Sequence, residues 1–166
     1  MWRRCAPILR RAVMPEPEVL MRFASEEHSV ASWRSMWPEL RRGTALEVHG
    51  VELLAADDEG IELSMVMGPH ALQPFGLLHG GISMLLGESA ASMHACWKLD
   101  LTRRVPVGIE INGSHMRSAT EGVILTRGRV LRKSRTLIHH EVEIVQAESG
   151  KTLSVIRVTN LFKSIA

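Results

Sequence analysis

A polar loop, a glycine pair and a helix running from about His79 to Leu99 constrain this chain more than any other stretch. The helix is apolar almost all round, and such a helix is normally buried. It nevertheless carries Glu88 well inside it. A carboxylate is rarely buried unless it is paired or has chemistry to perform. Glu88 is therefore either a side chain that reaches solvent or a salt bridge, or a functional acid.

The glycines at the helix start favour function. The first turn of a helix leaves backbone N–H groups without partners and with partial positive charge. Glycine lets a ligand come close to that backbone. Gly80-Gly81 can thus offer N–H donors to a carbonyl oxygen that is gaining negative charge. Glu88 lies two turns further on, roughly 10 Å away at about 1.5 Å rise per residue. That is too far for both to act on one atom within one subunit. A shared site would need a second copy of the helix from a partner subunit.

The run Gln73-Pro74-Phe75-Gly76-Leu77-Leu78-His79-Gly80-Gly81, followed by Glu88, resembles the hotdog-fold acyl-CoA thioesterases. The branch in question includes phenylacetate-pathway enzymes and the hydroxybenzoyl-CoA and dihydroxynaphthoyl-CoA thioesterases. The likeness continues through Gly108-Ile109-Glu110-Ile111-Asn112 and Arg127 to Glu143. It implies an acyl-CoA substrate of the aryl or medium-chain type, with CoA as part of the substrate and no other cofactor or metal. It also implies Glu88 as base or nucleophile, the Gly81 N–H as oxyanion donor, and Gln73 and His79 placing the thioester carbonyl and lining the pocket with Gly80. For His79 alone, a capping or core role would be the default. Ser92 shares a helix face with Glu88. It either orients the carboxylate or a water, or is a small residue that permits close packing. Some members carry two adjacent histidines after the helix; here the matching place holds Ser114-His115-Met116. That departure hints at a changed substrate preference. Arg132-Lys133-Ser134-Arg135 is by itself a solvated turn, and by resemblance a contact for the CoA phosphates, to which forked arginine donors are suited. Arg103, Arg104 and Arg117 are weaker candidates, and His139 and His140 are assigned to packing or surface.

Hydrophobic alternation supplies the rest of the pattern. A first strand is expected over Thr44 to Leu54, and a second over Ile61 to Met67, joined by the Asp57-Asp58-Glu59-Gly60 turn. After the helix, strands are expected over Val107 to Met116, Gly122 to Leu131, Leu137 to Gln146 and Thr152 to Phe162. Strands, one long helix, then more strands argue for an α+β fold. The resemblance makes it a hotdog, an antiparallel sheet wrapped around one long central helix, over residues 44–166. Residues 1–43 form an N-terminal extension, in part disordered, with a short helix over Ser29 to Leu40 whose Trp33, Met36, Trp37 and Leu40 share one face. Met1 to Met14 holds four arginines and no acid, which suits a transit peptide, a disordered arm or a start at Met14.

Composition excludes several classes. A net charge of +2 over 166 residues gives no argument for nucleic acid. No apolar run approaches the roughly 18 residues that span a bilayer. Cys5 and Cys96 stand far apart and form neither a metal motif nor a disulfide framework. A reducing cytoplasm fits, and the expected assembly is a homodimer that pairs into a tetramer. Two alternatives remain open, a thioesterase or proofreading enzyme for acyl-carrier protein, and a hotdog domain that binds acyl-CoA without cleaving it.

Overall fold

A computed structural model describes residues 29–165. The expectations for the basic N-terminal segment and for Cys5 lie outside the described residues. The chain begins with helix α1, Val30–Leu40, then the one-turn helix α2, Ala45–Val48. Strands β1, Glu52–Ala56, and β2, Gly60–Val66, follow and pair antiparallel. The central helix α3 is Gly80–Ala95. Strands β3, Arg104–His115, β4, Val123–Lys133, β5, Leu137–Gln146, and β6, Lys151–Ser164, complete one antiparallel sheet of order β1-β2-β4-β5-β6-β3.

Two expectations are corrected. Residues 45–48 are helical rather than the start of a strand. The Thr44 side chain caps that turn by accepting from the Leu46 N–H at 3.2 Å. Glu47 accepts from the Gly43 N–H at 2.7 Å, and Gly50 at φ +59° reverses the chain before β1. The apolar residues read as strand alternation, Leu46 and Val48, fall on this turn. The central helix also ends at Ala95 instead of Leu99, because Lys98 takes a left-handed φ of +52° and closes it.

Helix α3 packs against strands β2 to β6 and buries Leu86, Ala90 and Ala91 against them. Its small residues bring the helix backbone close to the strands. Helix α1 adds Trp33, Met36 and Trp37 to the same core, so their shared face serves packing. Trp37 donates its indole N–H to the Val51 carbonyl at 2.8 Å, and Trp33 meets Trp97 edge to face at 4.9 Å.

The β2–β4 pair depends on a glycine. A Cβ at Gly60 would overlap the Gly128 carbonyl oxygen, a backbone atom that has no rotamer to escape by. Gly60→Ala is expected to lower stability by about 1–3 kcal/mol through overpacking. A urea midpoint equal to that of the parent chain would contradict this.

Candidate active site

Strand β3 is the outer edge of the sheet, and it runs past helix α3 with two points of contact. The β3–β6 register pairs Gly108 with Asn160 and His115 with Ser154, and a bulge follows Gly108. At the first point Glu88 turns onto β3. A side chain at Gly108 would occupy the space that the Glu88 carboxylate fills. The half-buried carboxylate accepts a hydrogen bond from Ser92 Oγ at 3.0 Å, one turn further along the helix. Ser92 Oγ in turn accepts from Asn160 Nδ2 at 2.9 Å. Ser92 therefore touches the carboxylate directly. Asn160 is fully buried and was not singled out from sequence, since it reads there as one polar residue in an apolar strand.

At the second point β3 meets the helix start. The His115 ring faces Gly80, where an added Cβ would come within 2.8 Å of His115 Nε2. Its Nδ1 bonds the Ser154 hydroxyl at 2.8 Å. Ser114 alternates to the opposite face of the strand. His79 is the N-cap of α3, and its Nδ1 accepts the Gly81 N–H at 2.8 Å. The proposed oxyanion donor is thus held by the ring of its own neighbour. Acceptance at Nδ1 means that the His79 proton resides on Nε2 in this geometry. Ile82 and Ser83 donate to the His79 carbonyl at 2.9 and 3.2 Å. Gln73 closes the loop before the helix. Its N–H donates to Leu77 O at 2.8 Å, its carbonyl accepts from Gly76 at φ +77°, and its Oε1 accepts from Phe75 N–H. The Phe75 ring projects from that loop with 89% of its surface exposed.

Comparison with known proteins shows which family the chain belongs to. The model of the thioesterase superfamily matches residues 75–153. A Pseudomonas aeruginosa protein named as an esterase is 34% identical over 110 residues, covering 66% of this chain and 75% of its own. The chain belongs to the thioesterase superfamily. A 1,4-dihydroxy-2-naphthoyl-CoA hydrolase of Listeria monocytogenes is 28% identical over 113 residues, 68% of this chain and 90% of its own. Among solved structures, a Pseudomonas aeruginosa thioesterase with a Gln-to-Ala substitution superposes with a TM-score of 0.76 at 26% identity, covering 85% of this chain and 98% of its own. This thioesterase is a hotdog protein and a thioester hydrolase.

The basic run of the thioesterase divides between two surfaces. Ser134 is occupied by its own turn, where its Oγ accepts from Leu137 N–H at 3.0 Å. Lys133 stands over the Phe162 ring at 5.9 Å, and Arg104 lies over the same ring at 5.7 Å. Arg135 joins Arg103, Arg104 and Asp100 around a cleft of about 570 Å³. Arg132 lines a smaller cleft of about 340 Å³ on the outer face with Glu110 and His139. Asp100 is the single acid in the larger cleft. Its hydrogen bond from Thr102, and then Arg103 and Arg104, hold its carboxyl below the ordinary range. Arg117 sits elsewhere, donating to the Thr152 carbonyl at 2.9 Å.

Three other groups stand outside the site. Cys96 packs at the end of α3, where burial pushes its thiol up to about 12, which makes it inert as a nucleophile at neutral pH. His94 and His140 form a buried pair beneath the β1–β2 turn, with Nδ1 of His94 2.8 Å from Nε2 of His140. Among the described residues no three His, Cys, Asp or Glu side chains gather as a metal site. No described helix is long and apolar enough to cross a membrane.

Proposed function

We propose that this thioesterase hydrolyses an acyl-CoA at a site shared by two copies of the chain. The observation that carries the proposal is Glu88, fixed by Ser92 over the backbone of Gly108 on an open sheet edge. Support comes also from the relative named as a 1,4-dihydroxy-2-naphthoyl-CoA hydrolase.

The reaction needs an acceptor for a proton and a donor set for an oxyanion. Glu88 takes a proton from water as the water oxygen bonds to the acyl carbon. The carbonyl oxygen, now negative, takes the Gly81 N–H from His79 Nδ1, a change that needs only a turn of the His79 ring. Collapse breaks the C–S bond, and the CoA sulfur leaves with the proton that Glu88 holds. Direct attack by Glu88 on the acyl carbon gives the same net balance through an anhydride. A single turnover in ¹⁸O-water separates the two, because only the anhydride route leaves the first label in the protein.

The second copy is needed because one chain brings its carboxylate and its helix start to points seven residues apart on β3, Gly108 and His115. The edge of β3 exposes Ile109 at 55% and Val107 at 40%. An unpaired edge of this kind invites another strand. Antiparallel self-pairing centred between Ile111 and Asn112 would set Gly108 opposite the partner's His115. Since His115 lies against Gly80, Glu88 would then face the partner's helix start. The cleft of Arg103, Arg104 and Arg135 begins about four residues along β3 from Gly108, or roughly 13 Å at the strand rise. An extended pantetheine arm spans that distance and would bring the CoA phosphates to the arginines.

Two measurements test this. Thiol release from a panel of acyl-CoAs, with carrier-loaded acyl groups at equal concentration, is expected to favour CoA. Absence of hydrolysis across the panel would refute the reading. Mixing inactive Glu88→Ala with inactive Gln73→Ala subunits is expected to restore about a quarter of parental activity. Half of random dimers are mixed, and each mixed dimer rebuilds one of two sites. No recovery after confirmed subunit exchange would place the whole site in one chain.

A further inference from the structure

We infer that Asn160 is a positioning residue that fixes the direction of the hydrogen bond from Ser92 to Glu88. The inference rests on the proposed role of Glu88. Asn160 lies in β6, opposite Gly108, and is fully buried. It stands 68 residues from Ser92 in sequence, yet its Nδ2 reaches Ser92 Oγ at 2.9 Å.

A serine hydroxyl has one proton to give. In this cluster it has two polar neighbours, the Glu88 carboxylate at 3.0 Å and the Asn160 amide at 2.9 Å. An ionised carboxylate only accepts, so the serine proton must point to Glu88. The hydroxyl oxygen must then accept from Asn160, which fixes Nδ2 as the amide atom that faces it. The order Asn160 → Ser92 → Glu88 is the one arrangement that gives both of these hydrogen bonds a donor and an acceptor.

The other side of the amide shows that packing alone did not select it. Asn160 Oδ1 is buried and has no hydrogen-bond partner. Leucine has the same number and branching of side-chain heavy atoms as asparagine and would remove that orphan, since an unmatched buried acceptor destabilises a fold. An asparagine kept for stability would not leave half its amide unmet. It is explained by the donor that it aims at Ser92. With that donor in place the carboxylate is held over Gly108, at the edge where the second copy brings its helix start.

The test uses the full chain with Asn160→Leu and Asn160→Asp, each alone and combined with Ser92→Ala. Asn160→Leu removes the donor. Asn160→Asp substitutes an acceptor that draws the serine proton away from Glu88. Both are expected to lower kcat about tenfold or more with KM within twofold, measured well below the melting temperature of each variant. In the Ser92→Ala background, Asn160→Leu is expected to cost nothing further, because the two act as one unit. A loss of activity that tracks a loss of stability, or that adds in full to Ser92→Ala, would overturn the inference. A crystal structure of Asn160→Leu gives a readout that does not depend on turnover. The serine hydroxyl is expected to turn from Glu88. An unchanged Ser92–Glu88 hydrogen bond overturns the inference even if the parent chain cleaves no acyl-CoA, an outcome that would by itself sink only the proposed function.

Discussion

Glu88→Gln is expected to lower kcat for acyl-CoA hydrolysis by about 10²–10⁴-fold, the usual worth of a positioned proton acceptor. The exchange keeps side-chain volume and leaves an oxygen to accept from Ser92 Oγ, now 3.0 Å from Glu88 Oε1. The carboxamide also fits the hollow that Gly108 leaves. Fold and assembly should persist, as read by circular dichroism and light scattering. What is lost is the carboxylate that can take a proton from water at this point of β3. Thiol release under single-turnover conditions separates chemistry from substrate binding, and the effect should fall on the chemical step. Glu88→Ala is expected to be at least as damaging, since it also leaves Ser92 without its acceptor. Parental rates in either variant would remove Glu88 from the mechanism.

Acidification is expected to destabilise the chain from about pH 6.5 downwards, through His94 and His140. Nε2 of His94 lies 2.8 Å from the Asp57 carbonyl, an oxygen that only accepts, so that nitrogen carries the proton. Nδ1 of His94 is then an acceptor, and His140 Nε2 donates to it at 2.8 Å. His140 Nδ1 is left as a buried acceptor with no partner. Both rings are therefore neutral in the fold. Burial is the largest cause that depresses each, and His140 falls to about 3, with His94 itself the next contributor. A depressed folded value gives stability that is present above the unfolded value near 6.5 and is lost as pH falls towards the folded one. By pH 4 the His140 contribution lost is about 3 kcal/mol, taking 1.36 kcal/mol per unit. Asp58 works in a lower window. Its bonds from Lys98 and Trp97 hold it below the ordinary carboxylate value, so its stabilisation survives until pH drops below about 3.8. Urea midpoints between pH 7 and 4 should thus fall steeply, and His140→Asn should flatten the slope. A flat parental profile would mean that the pair is not buried neutral in solution.

Much of this site was legible before any coordinates. Glu88 stood out because an apolar helix rarely holds an acid unless it is paired, reaches solvent or has chemistry to perform. The Gly80-Gly81 pair stood out because a helix start is where backbone donors are free. Ser92 followed from helical spacing. Other parts were not legible for stated reasons. Thr44 to Val48 looked like a strand because Leu46 and Val48 alternate, but side-chain capping by Thr44 and Glu47 is worth more to a five-residue stretch than alternation. The basic run Arg132 to Arg135 looked like one patch. Strand alternation and the turn at Ser134 send its members to different surfaces. His140 was assigned to packing or surface, and its buried pairing with His94, 46 residues away, carries no local signal.

The order of elements, the helix with its lone acid and the donors at its start are properties of nearest neighbours along the chain, set by periodicity and backbone chemistry, and the sequence by itself determined them. Which groups stand around Glu88 was decided by the sheet. Pairing β3 with β6 at the edge, instead of with its neighbours in sequence, puts Gly108 beneath the carboxylate and Asn160 behind Ser92. Contacts of that kind join residues far apart in the chain. Their partners are chosen by strand register and core packing, which no window of sequence contains.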